Sequence, residues 1–416
     1  MPDAFFPTLE HLATAVMLLD DQSHIVYLNP AAENLFALSS KNLIGYPVQH
    51  AFTHTGQLAA AMQQALDNNA SYIEYDLTLG TYPHDVAKLI KRLTKLEADV
   101  SRLRVCYEAG PTGFGLSRRL NKAGIKCVVI APSLVPQQAG DRIKTDRRDA
   151  RRLAHFLRSG DLTEVWVPDE QTEALRDLER SRDDAKNAER VARHQLDKFL
   201  LRNERVFPEG RSWTLRHSAW LRQQKFADPC KQCVMDDYLK AVEDATERVK
   251  RLSKDIERFV EQTALAPLVK ALTSFRGIST LSAVVIAAEI GDLRRFQSAR
   301  QFMSFVGLVV SERSSGKTIK RGPLTRTGNT HVRRILIEAA QHYRHRPVLS
   351  AAVRTRQQGV SQEVTDIAWK AQQRLCRRLT YLLEQNKPRN KAIAAVAREL
   401  AGFVWAVGQV QQLLAT

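Results

Sequence analysis

The sequence predicts a mixed fold that is mostly α, and three observations predict it. Between residues 80 and 168, turns marked by glycine and proline separate short apolar runs from helix-period runs, which is a βαβ pattern. Residues 169–206 and 235–264 carry charged sequence of helical period without glycine or proline, so two long helices are expected, paired as a hairpin or coiled coil or standing as a lone stalk. From residue 265 onward the pattern becomes that of a compact helical domain, which holds the most basic stretch of the chain.

Length and charge bound the function. At 416 residues there is room for two or three domains, each with its own core. Hydrophobic residues at 44% and charged residues at 26% exclude a collagenous or disordered chain, whereas a net charge of +17 points to a polyanionic partner. The charge is unevenly placed: residues 1–80 hold eight acids and one base, Lys41, so the basic excess lies entirely behind them. A solvated basic surface is the plainer alternative. No run approaches the ~20 apolar residues of a membrane span, 283–288 and 403–407 being far too short, so no membrane partner is expected. The first residues carry acids where a signal peptide needs bases. Five scattered cysteines fit a reduced cytoplasm; Cys230 and Cys233 form a lone CxxC, expected as free thiols.

Taken in order, residues 1–79 alternate strand-like pieces (15–19, 24–28, 72–79) with short helices. The run Asn29-Pro30-Ala31-Ala32-Glu33-Asn34-Leu35-Phe36, followed by Leu43-Ile44-Gly45, resembles the PAS sensor domain at the front of the nitrogen-regulation histidine kinase. The segment is expected as a truncated PAS-like one, since a complete PAS sheet needs strands beyond Leu79. No phosphoacceptor helix or ATP-binding segment follows it.

In residues 80–168 the expected elements are a helix over 86–96, a strand over 103–107 closed by Glu108, a helix over 116–120, and a strand over 126–130. A proline-marked loop then leads to a helix over 145–157 and a short strand over 164–167. On the last helix Asp146 and Asp149 share a face with Ala150, Leu153 and Leu157. Two carboxylates on an apolar face need a compensating cation, either a divalent metal or a guanidinium from Arg142, Arg147 or Arg148. Glu108 is a third candidate, because open α/β sheets place ligands at the carboxyl ends of their strands; a capping or salt-bridged acid is its bland reading.

The motifs Val105-Cys106-Tyr107-Glu108-Ala109-Gly110-Pro111-Thr112-Gly113 and Lys144-Thr145-Asp146-Arg147-Arg148-Asp149-Ala150 resemble the second, third and fourth acids of DEDD insertion-sequence transposases. The resemblance implies a RuvC-like (RNase H-like) domain over 80–168, a helical linker over 169–264 and a C-terminal transposase domain over 265–416. It also implies Mg²⁺ held by Glu108, Asp146 and Asp149 for phosphodiester chemistry. The family's first acid belongs on an opening strand ahead of Gly80, where this chain has the PAS-like segment. Asp85 lies on the wrong side of the expected sheet, and Asp76 is the remaining stand-in. Impaired metal-dependent activity is therefore expected.

In residues 265–416, Phe275-Arg276-Gly277-Ile278-Ser279 resembles a helix-hairpin-helix, with a plain helical corner as the alternative. Downstream, Lys317, Lys320, Arg321, Arg326, Arg333, Arg334, Arg344 and Arg346 stand against one acid, Glu338. A DNA-binding set of Gly277, Lys317, Lys320, Arg321, Arg326, Asn329, Arg333 and Arg334 is expected. The resemblance makes Ser315 a nucleophile on DNA, or Ser314 if the register shifts by one; in Ser-Ser-Gly a plain turn serine is the alternative. It further implies two DNA partners, a guide (bridge) RNA and a homo-dimer or tetramer. The rival expectations are a catalytically dead nucleic-acid-binding remnant and a PAS-type signalling fusion.

Overall fold

A computed structural model describes residues 15–20, 22–36, 40, 43–48, 52–53, 80–81, 84–110, 113–136, 146–208, 210–315 and 318–413. The chain divides into two units, Met1–Val167 and Pro168–Thr416.

The first unit opens with β1 (Met17–Leu19) and β2 (Ile25–Leu28), antiparallel with Met17 opposite Leu28, followed by helix α1 (Pro30–Phe36). The Asn-Pro pair starts α1. Asn29 Oδ1 accepts the N–H groups of Ala32 and Val16, each at 2.9 Å, while Pro30 occupies a helical position whose missing N–H loses nothing. Ile25, Leu28, Ala32, Leu43 and Val48 form a small core beneath. A two-residue pairing joins β3 (Phe52–Thr53) to β4 (Gly80–Thr81). The strand expected over 72–79, with Asp76, lies outside the described residues.

Helix α2 (His84–Leu96), β5 (Arg104–Glu108), α3 (Gly115–Lys122), β6 (Lys126–Ile130) and α4 (Asp146–Ser159) follow. β5 and β6 pair in parallel, Arg104 opposite Lys126 and Glu108 opposite Ile130. Successive side chains on a strand face opposite ways, so the two faces take different covers. Val105, Tyr107 and Cys127 pack with Ile90 and Leu93 of α2 and with Leu116 and Leu120 of α3. Cys106, Val128 and Ile130 pack with Leu153, Phe156 and Leu157 of α4. The strand expected over 164–167 is a correction: it shrinks to a single bridge, Glu164 to Ile130, with Val165 N–H donating to Val129 O at 2.7 Å. Pro168 has no N–H to continue a ladder, and Asp169 already caps the next helix.

The second unit begins with α5 (Glu170–Arg202), α6 (Leu215–Gln223) and α7 (Pro229–Val260). α7 starts earlier than residue 235 because Asp228 accepts from Lys231 N–H and Pro229 takes the first helical position. α5 and α7 run antiparallel. Leu175 shares a core with Ile256 and Val260, Arg182 donates to Ser253 at 2.8 Å, Thr246 donates to Glu189 at 2.8 Å, and Phe199 packs with Met235.

The rest comprises α8 (Ala266–Leu272), α9 (Thr280–Ile290), α10 (Ala299–Phe305), the β7 (Val310–Glu312) and β8 (Arg321–Leu324) hairpin, α11 (Thr330–Ala340), α12 (Ala351–Gln357), α13 (Gln362–Glu384) and α14 (Arg389–Leu413). α14 lies in the core: Ala392, Val396, Leu400, Val404 and Val407 are fully buried. It also corrects the hydropathy expectation, since Arg389–Gln411, with mean hydropathy 1.3, is long and apolar enough to cross a membrane. Its apolarity comes from dispersed alanine and valine rather than one contiguous run, and those side chains face the domain core.

Candidate catalytic and nucleic-acid-binding sites

Glu108 stands exposed at the carboxyl end of β5, two residues beyond Cys106 and so on the face that α4 covers. Leu157 and Gly160, at the far end of α4, line a cavity of about 110 Å³ together with Arg104 and Lys126, which begin the two strands. α4 therefore runs against the strands, and its first turn lies toward the edge that ends in Glu108. Cys106 Sγ lies 4.0 Å from Leu153 O, and burial, followed by the Glu108 charge, pushes its thiol pKa up. Asp149, one turn ahead of Leu153, is half-buried and pairs with Arg152 at 2.9 Å. Among the described residues a guanidinium, that of Arg152, thus meets it. Asp146 opens α4, and its side chain lies outside the described residues. Oxygen-only carboxylate donors of this kind fit a hard divalent cation.

The basic region is built on the β7 and β8 hairpin, with Glu312 opposite Arg321. At its tip Ser315 and Thr318 exchange backbone hydrogen bonds of 3.1 Å each, which holds Ser315 exposed. Ser314 Oγ donates to Glu312 Oε1 at 2.8 Å, and Arg321 pairs with the same carboxylate at 3.7 Å. Lys320, Arg321 and Arg326 are exposed, whereas Lys317 lies outside the described residues.

Four members of the expected DNA-binding set prove to have structural work. Asn329 caps α11 through Val332 N–H at 2.9 Å and donates to Glu289 at 2.7 Å. Arg333 Nη1 donates to the carbonyls of Val306 and Thr327 at 3.0 Å each, and Arg334 donates to Asp183 at 2.8 Å. Gly277 has φ +83°, and a Cβ there would come within 2.7 Å of Ala339 O, so packing alone requires the glycine. Its neighbour Arg276 donates to the carbonyls of Arg346 at 2.8 Å and Val348 at 2.9 Å. The motif forms a helical corner packed against α11 and tied to the 346–348 segment. Sequence alone could not separate cations facing solvent from cations that fasten the loop.

A second polar cluster went unnoticed in the sequence. Glu289, 5% exposed, takes both Arg180 nitrogens, at 2.9 and 3.2 Å, and the Asn329 amide. Burial pushes its carboxyl pKa up, but the Arg180 bonds and charge, then Asn329 and Arg176, outweigh that and hold it low. Glu179 on α5 is 2% exposed, and neither of its oxygens has a hydrogen-bond partner among the described residues. Burial first, then the charges of Asp183 and Glu289, push its pKa up to about 7. Ligand atoms of Glu179, Glu289 and His331 lie within 4.8 Å of one another. The one available signal was Glu289 itself, the sole acid in the apolar helix Thr280–Ile290; nothing marked Glu179.

Comparison with known proteins gives these arrangements a family. Residues 269–354 match the Transposase IS116/IS110/IS902 family, residues 64–203 match the DEDD transposase family, and residues 6–118 match the PAS fold. The DEDD match begins ahead of Gly80 and overlaps the PAS match. A transposase of Sinorhizobium fredii, y4qE, is 44% identical over 324 residues, covering 78% of this chain and 79% of the relative. The transposase for insertion sequence element IS1533 of Leptospira borgpetersenii is 32% identical over 309 residues, 73% of this chain and 89% of that one. The sensory histidine kinase/phosphatase NtrB of Escherichia coli O157:H7 is 32% identical over 71 residues, 17% of this chain and 20% of that protein. With acid-bearing strand and helix, basic serine hairpin and relatives of this kind, the chain belongs to the IS116/IS110/IS902 family of insertion-sequence transposases.

Proposed function

We propose that the protein cuts and rejoins DNA at the ends of an insertion sequence with Ser315 as nucleophile. The observation that carries this reading is the exposed Ser315 at the hairpin tip, on the strand pair that also presents Lys320, Arg321 and nearby Arg326 to solvent. Ser315 Oγ attacks a backbone phosphorus, forming a seryl phosphodiester as a deoxyribose hydroxyl leaves. The exposed cations steady the negative charge that builds on the phosphoryl oxygens. Glu108, Asp146 and Asp149 would hold Mg²⁺, which when bound supplies charge stabilisation at attacking and leaving oxygens. Impaired activity is expected, because the segment before Gly80 carries PAS-like sequence and Asp76 is the remaining stand-in there for the family's first acid. DNA and a guide RNA are the partners, and the working form is a dimer or tetramer.

Ser314 offers a second reading, supported by its bond to Glu312: a serine hydroxyl donating to a carboxylate at 2.8 Å already has a base within reach. A strand-exchange assay with the element's own ends and guide RNA tests both. Ser315→Ala is expected to abolish the covalent protein–DNA product while Ser314→Ala retains it. The reverse pattern transfers the role to Ser314, and a product that survives in the double variant refutes the serine mechanism. Loss of product in Glu108→Gln, with DNA binding intact, is expected for the metal-holding role.

A further inference from the structure

The most deeply buried acids described in the second unit gather where α5, the end of α9 and the first turn of α11 meet. A carboxylate this far from water must be hydrogen-bonded, paired or neutralised. Glu289 satisfies that rule through Arg180, Arg176 and Asn329. Glu179 does not: both oxygens lack partners among the described residues, although several guanidiniums are near. Those guanidiniums are engaged elsewhere. Arg182 donates to Ser253, Arg334 to Asp183, and Arg176 to the Ala288 carbonyl at 3.1 and 3.0 Å.

Either a proton or a cation would relieve Glu179, and His331 separates the two. A proton would need no imidazole, yet a ring nitrogen of His331 lies within 4.8 Å of both carboxylates and completes a three-donor set. Asp183 Oδ2 lies 3.9 Å from His331 Nδ1, on the ring that would ligate, where metal-bound imidazoles commonly keep an outer carboxylate. Mixed imidazole and carboxylate donors favour zinc- or manganese-like ions over magnesium. We infer that Glu179, Glu289 and His331 form a binding site for a divalent transition metal, Zn²⁺ or Mn²⁺. The ion clamps α5 to the α9 and α11 corner. Asn329, which caps α11 and bonds Glu289, makes that corner the footing of the basic hairpin.

The site shares no residue with Glu108, Asp146 and Asp149, so the two can fail separately. The test uses full-length protein carrying Cys230→Ser and Cys233→Ser, which removes the exposed thiols as competing zinc ligands. After stripping with chelator, it is titrated calorimetrically with ZnCl₂ and with MnCl₂, and its melting temperature is followed. One high-affinity equivalent and a raised melting temperature are expected. Glu179→Gln and His331→Ala should each weaken binding about tenfold or more and abolish the rise. Glu179→Gln nearly keeps shape, and its melting in chelator reports its fold independently of metal. No uptake by the stripped protein, or uptake insensitive to Glu179→Gln and His331→Ala, overturns the site and leaves Glu179 a protonated core acid.

Discussion

Arg333 and Arg334 are sequence neighbours on α11, and each directs hydrogen bonds to the protein itself. Arg334 reaches Asp183 across to α5, and Arg333 ties the loop carbonyls of Val306 and Thr327. Arg334→Ala leaves a largely buried Asp183 without its closest cation and is expected to cost about 1–3 kcal/mol in thermal unfolding. Lys320→Ala, on the exposed face of the hairpin, should leave the melting temperature unchanged and weaken DNA binding instead. Equal effects of the two substitutions on either readout would contradict this division. Gly328 has φ +73°, and a methyl there would collide with the Phe305 carbonyl. Gly328→Ala is expected to cost roughly 3 kcal/mol or more in denaturant unfolding, since backbone strain and overlap add. At this scale the sequence exposed charge and residue type but not direction. Glu108, Asp146 and Asp149 could be placed on a strand end and a helix start from spacing, whereas the Glu289 that Asn329 reaches lies 40 positions away and Glu179 meets Glu289 and His331 from a different helix.

Among elements, the far end of the α5 and α7 pair holds a buried titratable ring. His217, 2% exposed, packs against Trp213, Trp220 and Phe207, and Trp213 N–H donates to its Nδ1 at 3.1 Å. That bond needs the neutral ring. Burial lowers its pKa below the ordinary value of 6.5, opposed by the charge of Asp197. Above that value both folded and unfolded rings are neutral, and the contribution to stability is complete. As pH falls below it the unfolded chain takes up the proton first, so stability is lost down to the folded pKa. The melting temperature should therefore drop between pH 7 and pH 5. His217→Asn, whose Oδ1 accepts from Trp213 without titrating, should flatten that drop; an unchanged slope would refute the assignment. Long helices were legible because charged 3.6-residue periodicity persists over many turns. The 164–167 strand was not, because its apolar alternation is genuine while the proline and helix cap that end it act through backbone geometry.

Across the whole molecule the charge division stands out: eight acids against one base over residues 1–80, and a strongly basic remainder. Binding of such a chain to DNA draws on counterion release, so its affinity should fall linearly with salt on a double-logarithmic plot. Replacing Lys320, Arg321 and Arg326 by alanine is expected to reduce that slope by about 0.9 for each phosphate contact removed, nearly 3 in all. An unchanged slope would move the nucleic-acid face away from the hairpin. The mostly α fold class and the transposase family were readable from motif and composition; the Glu179, Glu289 and His331 cluster was not, because no spacing within one segment announces three donors drawn from three helices.

α14, buried along much of its length, sets an order on how the protein comes into being. It packs against α8, α10, α11 and α13, all of which precede it in the chain. Those helices leave the ribosome with their apolar faces uncovered and stay so until this final piece is synthesised. The C-terminal domain must then close late and all at once, and translation stopped short of Arg389 would yield an adhesive, open shell rather than a smaller working protein.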